Sequence, residues 1–300
     1  IRILNDRVIK KIGEFRMDPF IVSVVVLASF FLVWSCIEVG SNDATNLVNA
    51  VLGSNVLRRN SAVLIAGFFV VLGASFASPV MDTVRKGIFD ISLLNTEMIL
   101  SVFITVYLVG TILLYCYSLY GLPVSTTATL VFALAGAAIG VSAQLSVVNW
   151  PKLLQILSAI LVSILTTGFA SFVLQRFFRS FLSKNLDRKD LVLKHGAWIA
   201  GFILTSLLWF MVVKGFKYVE GVNNIRSALF SHYGTFGFLT LLWFSFTLFT
   251  YIILNLSKTI APKYLFHFTA VLGMACMAFA FGQNDLANCA SPGRYYTYDL

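Results

Sequence analysis

Charge is the scarcest property of this sequence. Only 12% of its 300 residues are Asp, Glu, Lys or Arg, while 58% are hydrophobic; soluble domains carry about 25% charged residues. So little charge cannot cover a globule of this size in water, which excludes an ordinary soluble domain. Cysteine is also sparse. Cys36, Cys116, Cys276 and Cys289 lie in or beside apolar runs without C-x-x-C spacing, which argues against a disulfide framework or a zinc site. His195, His232 and His267 are scattered and form no ligand pattern. There is no H-E-x-x-H, no G-x-S-x-G and no paired-aspartate transferase motif, so nothing supports an enzyme. Basic residues outnumber acidic ones by 22 to 13, but they cluster in short segments between apolar runs, such as RRN at 58–60, RK at 85–86 and KNLDRK at 184–189. That pattern fits loops beside anionic lipid headgroups rather than a nucleic-acid surface.

What the chain has is apolar length. Runs of roughly 20 residues, each able to cross about 30 Å of hydrocarbon, occur near 19–39, 61–80, 96–120, 150–180, 197–214, 235–256 and 264–281. They are continuous rather than alternating, which excludes a transmembrane barrel. The expected class is an all-α polytopic membrane protein. Residues 1–18 read as a charged surface segment and 183–195 as a basic loop. The chain opens on Ile1 without a signal-peptide pattern, so its true N-terminus is expected to lie upstream. The stretch 122–142 is expected to be a re-entrant hairpin that returns to the side it entered from. The N-terminus and the loops 82–90, 183–195 and 257–263 then share the side richest in Lys and Arg, which is assigned to the cytoplasm. Arg58, Arg59, Lys214, Lys217 and Arg226 fall opposite.

One heptapeptide pattern occurs twice. Gly40-Ser41-Asn42-Asp43-Ala44-Thr45-Asn46 returns as Gly282-Gln283-Asn284-Asp285-Leu286-Ala287-Asn288, both G-x-N-D-x-x-N. The ordinary alternative is a pair of helix ends, where Gly, Asn and Asp are favoured. An aspartate at membrane depth costs about 2.5–3.5 kcal/mol on insertion scales, and no Lys or Arg lies within either motif to offset it. A metal cation is the natural partner. Asp43 with Asn46, and Asp285 with Asn288, share a helical face at i, i+3. Their oxygens, with carbonyls freed by a helix break at the glycine, would suit Na⁺.

A second element is GLPVSTTATL at 121–130. Gly121 ends the preceding helix, and Pro123 suits the first turn of a new one. Ser125, Thr126 and Thr127 would then place three hydroxyls beside free backbone N–H groups at the positive end of a helix dipole. That is an anion cradle without formal charge, from which an oxyanion can be released. On this segment alone a plain helix cap at the bilayer interface reads equally well.

G-S-N-D-A-T-N, P-V-S-T-T and G-Q-N-D-L-A-N together resemble the inorganic phosphate transporter family, as does DTVRKGIFD at 82–90. The resemblance implies an inverted-repeat secondary transporter with broken helices and two P-x-S-T-T hairpins. It implies symport of inorganic phosphate with Na⁺ or H⁺, and no other cofactor. Phosphate would meet Ser125, Thr126, Thr127, Asn42 and Asn284, and cations would sit at Asp43, Asn46, Asp285 and Asn288. Where the family often carries His after S-T-T, this chain has Ala128, which favours Na⁺. A permease for another tetrahedral oxyanion such as sulfate is the alternative. Glu38 is either a further cation ligand or an acid at headgroup level. A multi-pass protein of the cell membrane is expected, and homo-oligomerisation is left open.

On this reading residues 19–256 hold the first repeat and intervening spans, and 264–300 begin a second, incomplete repeat. The span count gives 264–281 the direction of 19–39, which an inverted repeat does not allow, so one crossing between 143 and 235 is expected to be miscounted. A second P-x-S-T-T is expected beyond Leu300, and residues 1–300 alone are not expected to transport.

Overall fold

The computed structural model describes residues 19–77, 87–182, 189–216 and 220–298. The proposed surface segment 1–18 and most of the 82–90 segment lie outside the described residues. Within them the chain is almost wholly helical: α1 is Pro19–Gly53, α2 Arg59–Ala74, α3 Thr96–Leu119, α4 Thr126–Ser142, α5 Trp150–Leu182, α6 Lys189–Leu208, α7 Glu220–Leu256 and α8 Ala261–Tyr298. No strand is present among the described residues; an isolated bridge joins Phe89 to Val148. Among the described residues, five stretches are long and apolar enough to cross a membrane: Thr96–Leu119, Trp150–Ser180, Leu191–Val213, Gly221–Leu256 and Ala261–Ala290. The protein is a multi-pass helical membrane protein.

Caps and glycines set several boundaries. Asn95 starts α3, its side-chain oxygen accepting the Met98 N–H at 2.8 Å, as Asn does at N-caps. Ala143, in the left-handed region at φ 53°, ends α4. Gly234 bends α7 at φ 67°, ψ 167°, a conformation open to glycine without penalty. The stretch 220–233 before that bend is helical, and it is the element that a reading by apolar runs omits between 214 and 235. The basic segment 183–195 is not all loop, because α6 begins at Lys189. α6 continues as a π-helical segment, Trp209–Gly215.

The expected helix breaks at the two signature glycines are absent. Gly40 lies inside α1 and Gly282 inside α8, and both helices run on. Gly282 instead serves a crossing: a Cβ there would overlap the Val70 carbonyl oxygen of α2, and one on Gly73 would overlap the Phe279 carbonyl oxygen of α8. Small residues let membrane helix backbones approach this closely. The polar tail from 291 stays in α8 to Tyr298.

α1 runs through both cores. Ala28 packs with Phe89, Phe103, Val131 and Leu134; Val39 and Val51 pack with Ala62, Ala66, Ala278 and Phe281. α5 joins the core near its start through Leu153, while its most apolar stretch lies outside, unburied. Side chains such as Leu165, 74% exposed, suit a helix whose solvent is lipid. α1, α3, α4 and α8 therefore form the interior in which the signatures meet.

Candidate functional site

The hydroxyl segment is a helix start, with one correction. Pro123 stands before α4 rather than in its first turn. Ser125 is the N-cap, its Oγ accepting the Ala128 N–H at 3.3 Å, and Thr126 and Thr127 open the helix. The N–H groups of the first turn lie in the part of a helix that has no intrahelical acceptor.

The two signatures approach this helix start from different helices. In α8, Asp285 accepts the Thr126 hydroxyl at 2.6 Å, and the Asn288 amide donates to Thr127 Oγ1 at 2.8 Å. The shared face expected for residues 285 and 288 is thus spent on two successive threonines. In α1, the Asn46 amide donates to Asp43 Oδ1 at 3.2 Å, as i, i+3 neighbours can. Asn42 turns to the segment before Ser125, bonding Ser118, Leu122 and Val124. Asn284 donates to the Ala280 carbonyl one turn back at 3.0 Å.

An open cavity of about 320 Å³ lies between these helices, lined by Asp43, Asn46, Ser125, Thr126, Asn284 and Asp285, with Leu47, Val124, Met277, Ala280 and Phe281 as its apolar wall. Six of the nine residues expected at the site therefore line one space. Asn42, Thr127 and Asn288 do not: Asn42 is occupied in the preceding turn, and Thr127 and Asn288 are bonded to each other. Asn288 lines a smaller cavity of about 30 Å³ with Ser35, Tyr107, Thr126, Thr129 and Cys289. Neither aspartate has a hydrogen bond from Lys or Arg among the described residues. The two carboxylates line the same cavity. Glu38 is buried but lines neither cavity.

Paired carboxylates, two amides and hydroxyls around one water-accessible space can hold a hard cation through oxygen and an oxyanion through O–H and N–H. With the helices unbroken, the cation ligands on offer are side-chain oxygens rather than freed carbonyls. Sequence reasoning missed Ser118 and the apolar wall, because neither carries a motif.

Residues 39–299 match the model of the phosphate transporter family. "Putative phosphate permease PF1020" of Pyrococcus furiosus is 31% identical over 290 residues, covering 92% of this chain and 65% of that protein. "Putative phosphate permease TK2061" of Thermococcus kodakarensis is 27% identical, covering 92% and 66%. The chain thus spans about two thirds of the length of these relatives. A solved structure, "The sodium-dependent phosphate transporter", superposes with a TM-score of 0.74 at 22% identity, over 93% of this chain and 69% of that one, which shows a shared fold. The chain belongs to the phosphate transporter family.

Proposed function

We propose that the protein containing this chain carries inorganic phosphate across the cell membrane by symport with a cation, Na⁺ rather than H⁺. The cavity shared by Asp43, Asp285, Ser125 and Thr126 carries this reading. Two carboxylates lining one cavity, with no hydrogen bond from Lys or Arg among the described residues, need positive charge, and a cation between them supplies it. The same cation then offsets the charge of an oxyanion at the hydroxyls, so each ligand favours the other. The Ser125 oxygen accepts a cap bond and keeps its O–H to donate. Phosphate is favoured over sulfate because it carries a proton near neutral pH that a neighbouring carboxylate can accept. The relatives named as phosphate permeases and the solved sodium-dependent transporter support this reading.

The test is uptake of radiolabelled phosphate by the full-length protein in vesicles. Saturable uptake is expected, lost when choline replaces Na⁺ and resistant to excess sulfate. Uptake indifferent to Na⁺ would overturn the coupling, and competition by equimolar sulfate the specificity.

The hydroxyls should not contribute equally. Ser125→Ala removes a free donor and a cap, and should weaken phosphate binding by about 1.5–3 kcal/mol, tenfold or more in dissociation constant. Thr126→Ala should also disturb the cation, since it leaves Asp285 without its 2.6 Å hydrogen bond. Phosphate titrations of Ser125→Ala, Thr126→Ala and Thr127→Ala that match wild type would reduce the segment to a helix cap.

A further inference from the structure

We propose that Asn42 and Ser118 form a clasp that couples the cation carboxylate on α1 to the anion cradle at the start of α4. This rests on the symport reading above. The Asn42 side chain is fully engaged: its amide donates to Ser118 Oγ at 3.2 Å and to the Leu122 carbonyl at 3.0 Å, and its carbonyl accepts the Val124 N–H at 3.0 Å. A carboxamide has two donor hydrogens, so both are used and none is free for a substrate oxygen. Asn42 is therefore a positioning residue rather than a phosphate ligand.

Its targets explain what it positions. The chain leaves α3 through Gly121 at φ 65° and reaches the N-cap Ser125 without regular structure between 122 and 125. The Asn42 bonds to Leu122 and Val124 hold that short segment, and Val124 is the residue before Ser125. Asn42 is also the neighbour of Asp43 in the unbroken helix α1. A cation that draws Asp43 moves Asn42 with it, and through Val124 moves Ser125 and Thr126. The counterpart Asn284 donates to the Ala280 carbonyl of its own helix.

The experiment measures the phosphate dissociation constant of the purified full-length protein in Na⁺ and in choline, for wild type, Ser118→Ala, Ser118→Thr and Asn42→Ala. The choline-to-Na⁺ ratio of the two constants reports the coupling. Ser118→Ala is expected to lower that ratio by about three- to tenfold, the size of one hydrogen bond, with the constant in choline nearly unchanged. Asn42→Ala should lower it further, and Ser118→Thr, which keeps the hydroxyl, should restore it. A wild-type ratio in Ser118→Ala, or an Asn42→Ala protein weakened equally in both salts, would overturn the clasp. A wild-type protein with equal constants in both salts overturns the symport reading, and the clasp with it.

Discussion

Asp285→Asn is expected to reduce phosphate uptake by two orders of magnitude or more while the protein still inserts and folds. The substitution nearly preserves shape. A carboxamide oxygen can still accept the Thr126 hydroxyl, now bonded at 2.6 Å, so the link between α4 and α8 survives and only charge is lost. Removing one partner of a buried charge interaction costs about 3–5 kcal/mol, equivalent to roughly two to three and a half decades in affinity. Asp43→Asn should behave alike, because its bond with Asn46 at 3.2 Å can also be kept by an amide oxygen. Each variant also removes one of two like charges lining one cavity, so thermal stability without substrate should hold or rise while uptake falls. Wild-type uptake rates in either variant would remove the cation site from the account.

Gly282→Ala is expected to do the opposite, damaging assembly before function. Its Cβ would overlap the Val70 carbonyl oxygen, a backbone atom that cannot swing aside. α2 and α8 would have to separate along a contact that also includes Gly73 against Phe279. Overpacking usually costs about 1–3 kcal/mol, and a clash between backbones belongs at or beyond the upper end. Gly40→Ala provides the contrast, since nothing lies within 4 Å of its added Cβ in this chain. Detergent-solubilised protein should show a markedly lower melting temperature and a smaller monodisperse fraction for Gly282→Ala, with Gly40→Ala close to wild type. Equal stability of the two would show that the crossing is not as tight as the structure has it.

This contrast marks where the sequence could and could not be read. The two heptapeptides look equivalent as text, yet their glycines stand in different surroundings, one at a helix crossing and one in open space. A pattern of identities carries no information about which helix crosses it, so expecting a break at both was natural and incorrect. The apolar runs, by contrast, located most helices well, because length and hydropathy are what the bilayer selects. They failed at 220–233, a polar helical stretch before the Gly234 bend, where no apolar run marks an element. The convergence of Asp43, Asp285, Ser125 and Thr126 on one cavity was legible, since an unpaired intramembrane acid and a hydroxyl-rich helix start each need a partner. The division of labour was not. That Thr126 and Thr127 pair with residues 285 and 288, while Asn42 holds the turn before them, depends on helix positions that no local spacing encodes. Ser118 was invisible for the same reason: it is a lone serine in an apolar run, significant only because Asn42 reaches it.

The central claim is that a cation at the two aspartates and phosphate at the Ser125 helix start occupy one site. Equilibrium binding of phosphate to the full-length protein, titrated with Na⁺ in wild type and Asp285→Asn, addresses it directly. The account predicts that Na⁺ tightens phosphate binding in the wild type, that phosphate reciprocally tightens Na⁺ binding by the same factor, and that both effects vanish in Asp285→Asn. Phosphate binding that is equally tight with and without Na⁺, and unaltered by losing the carboxylate, would contradict it.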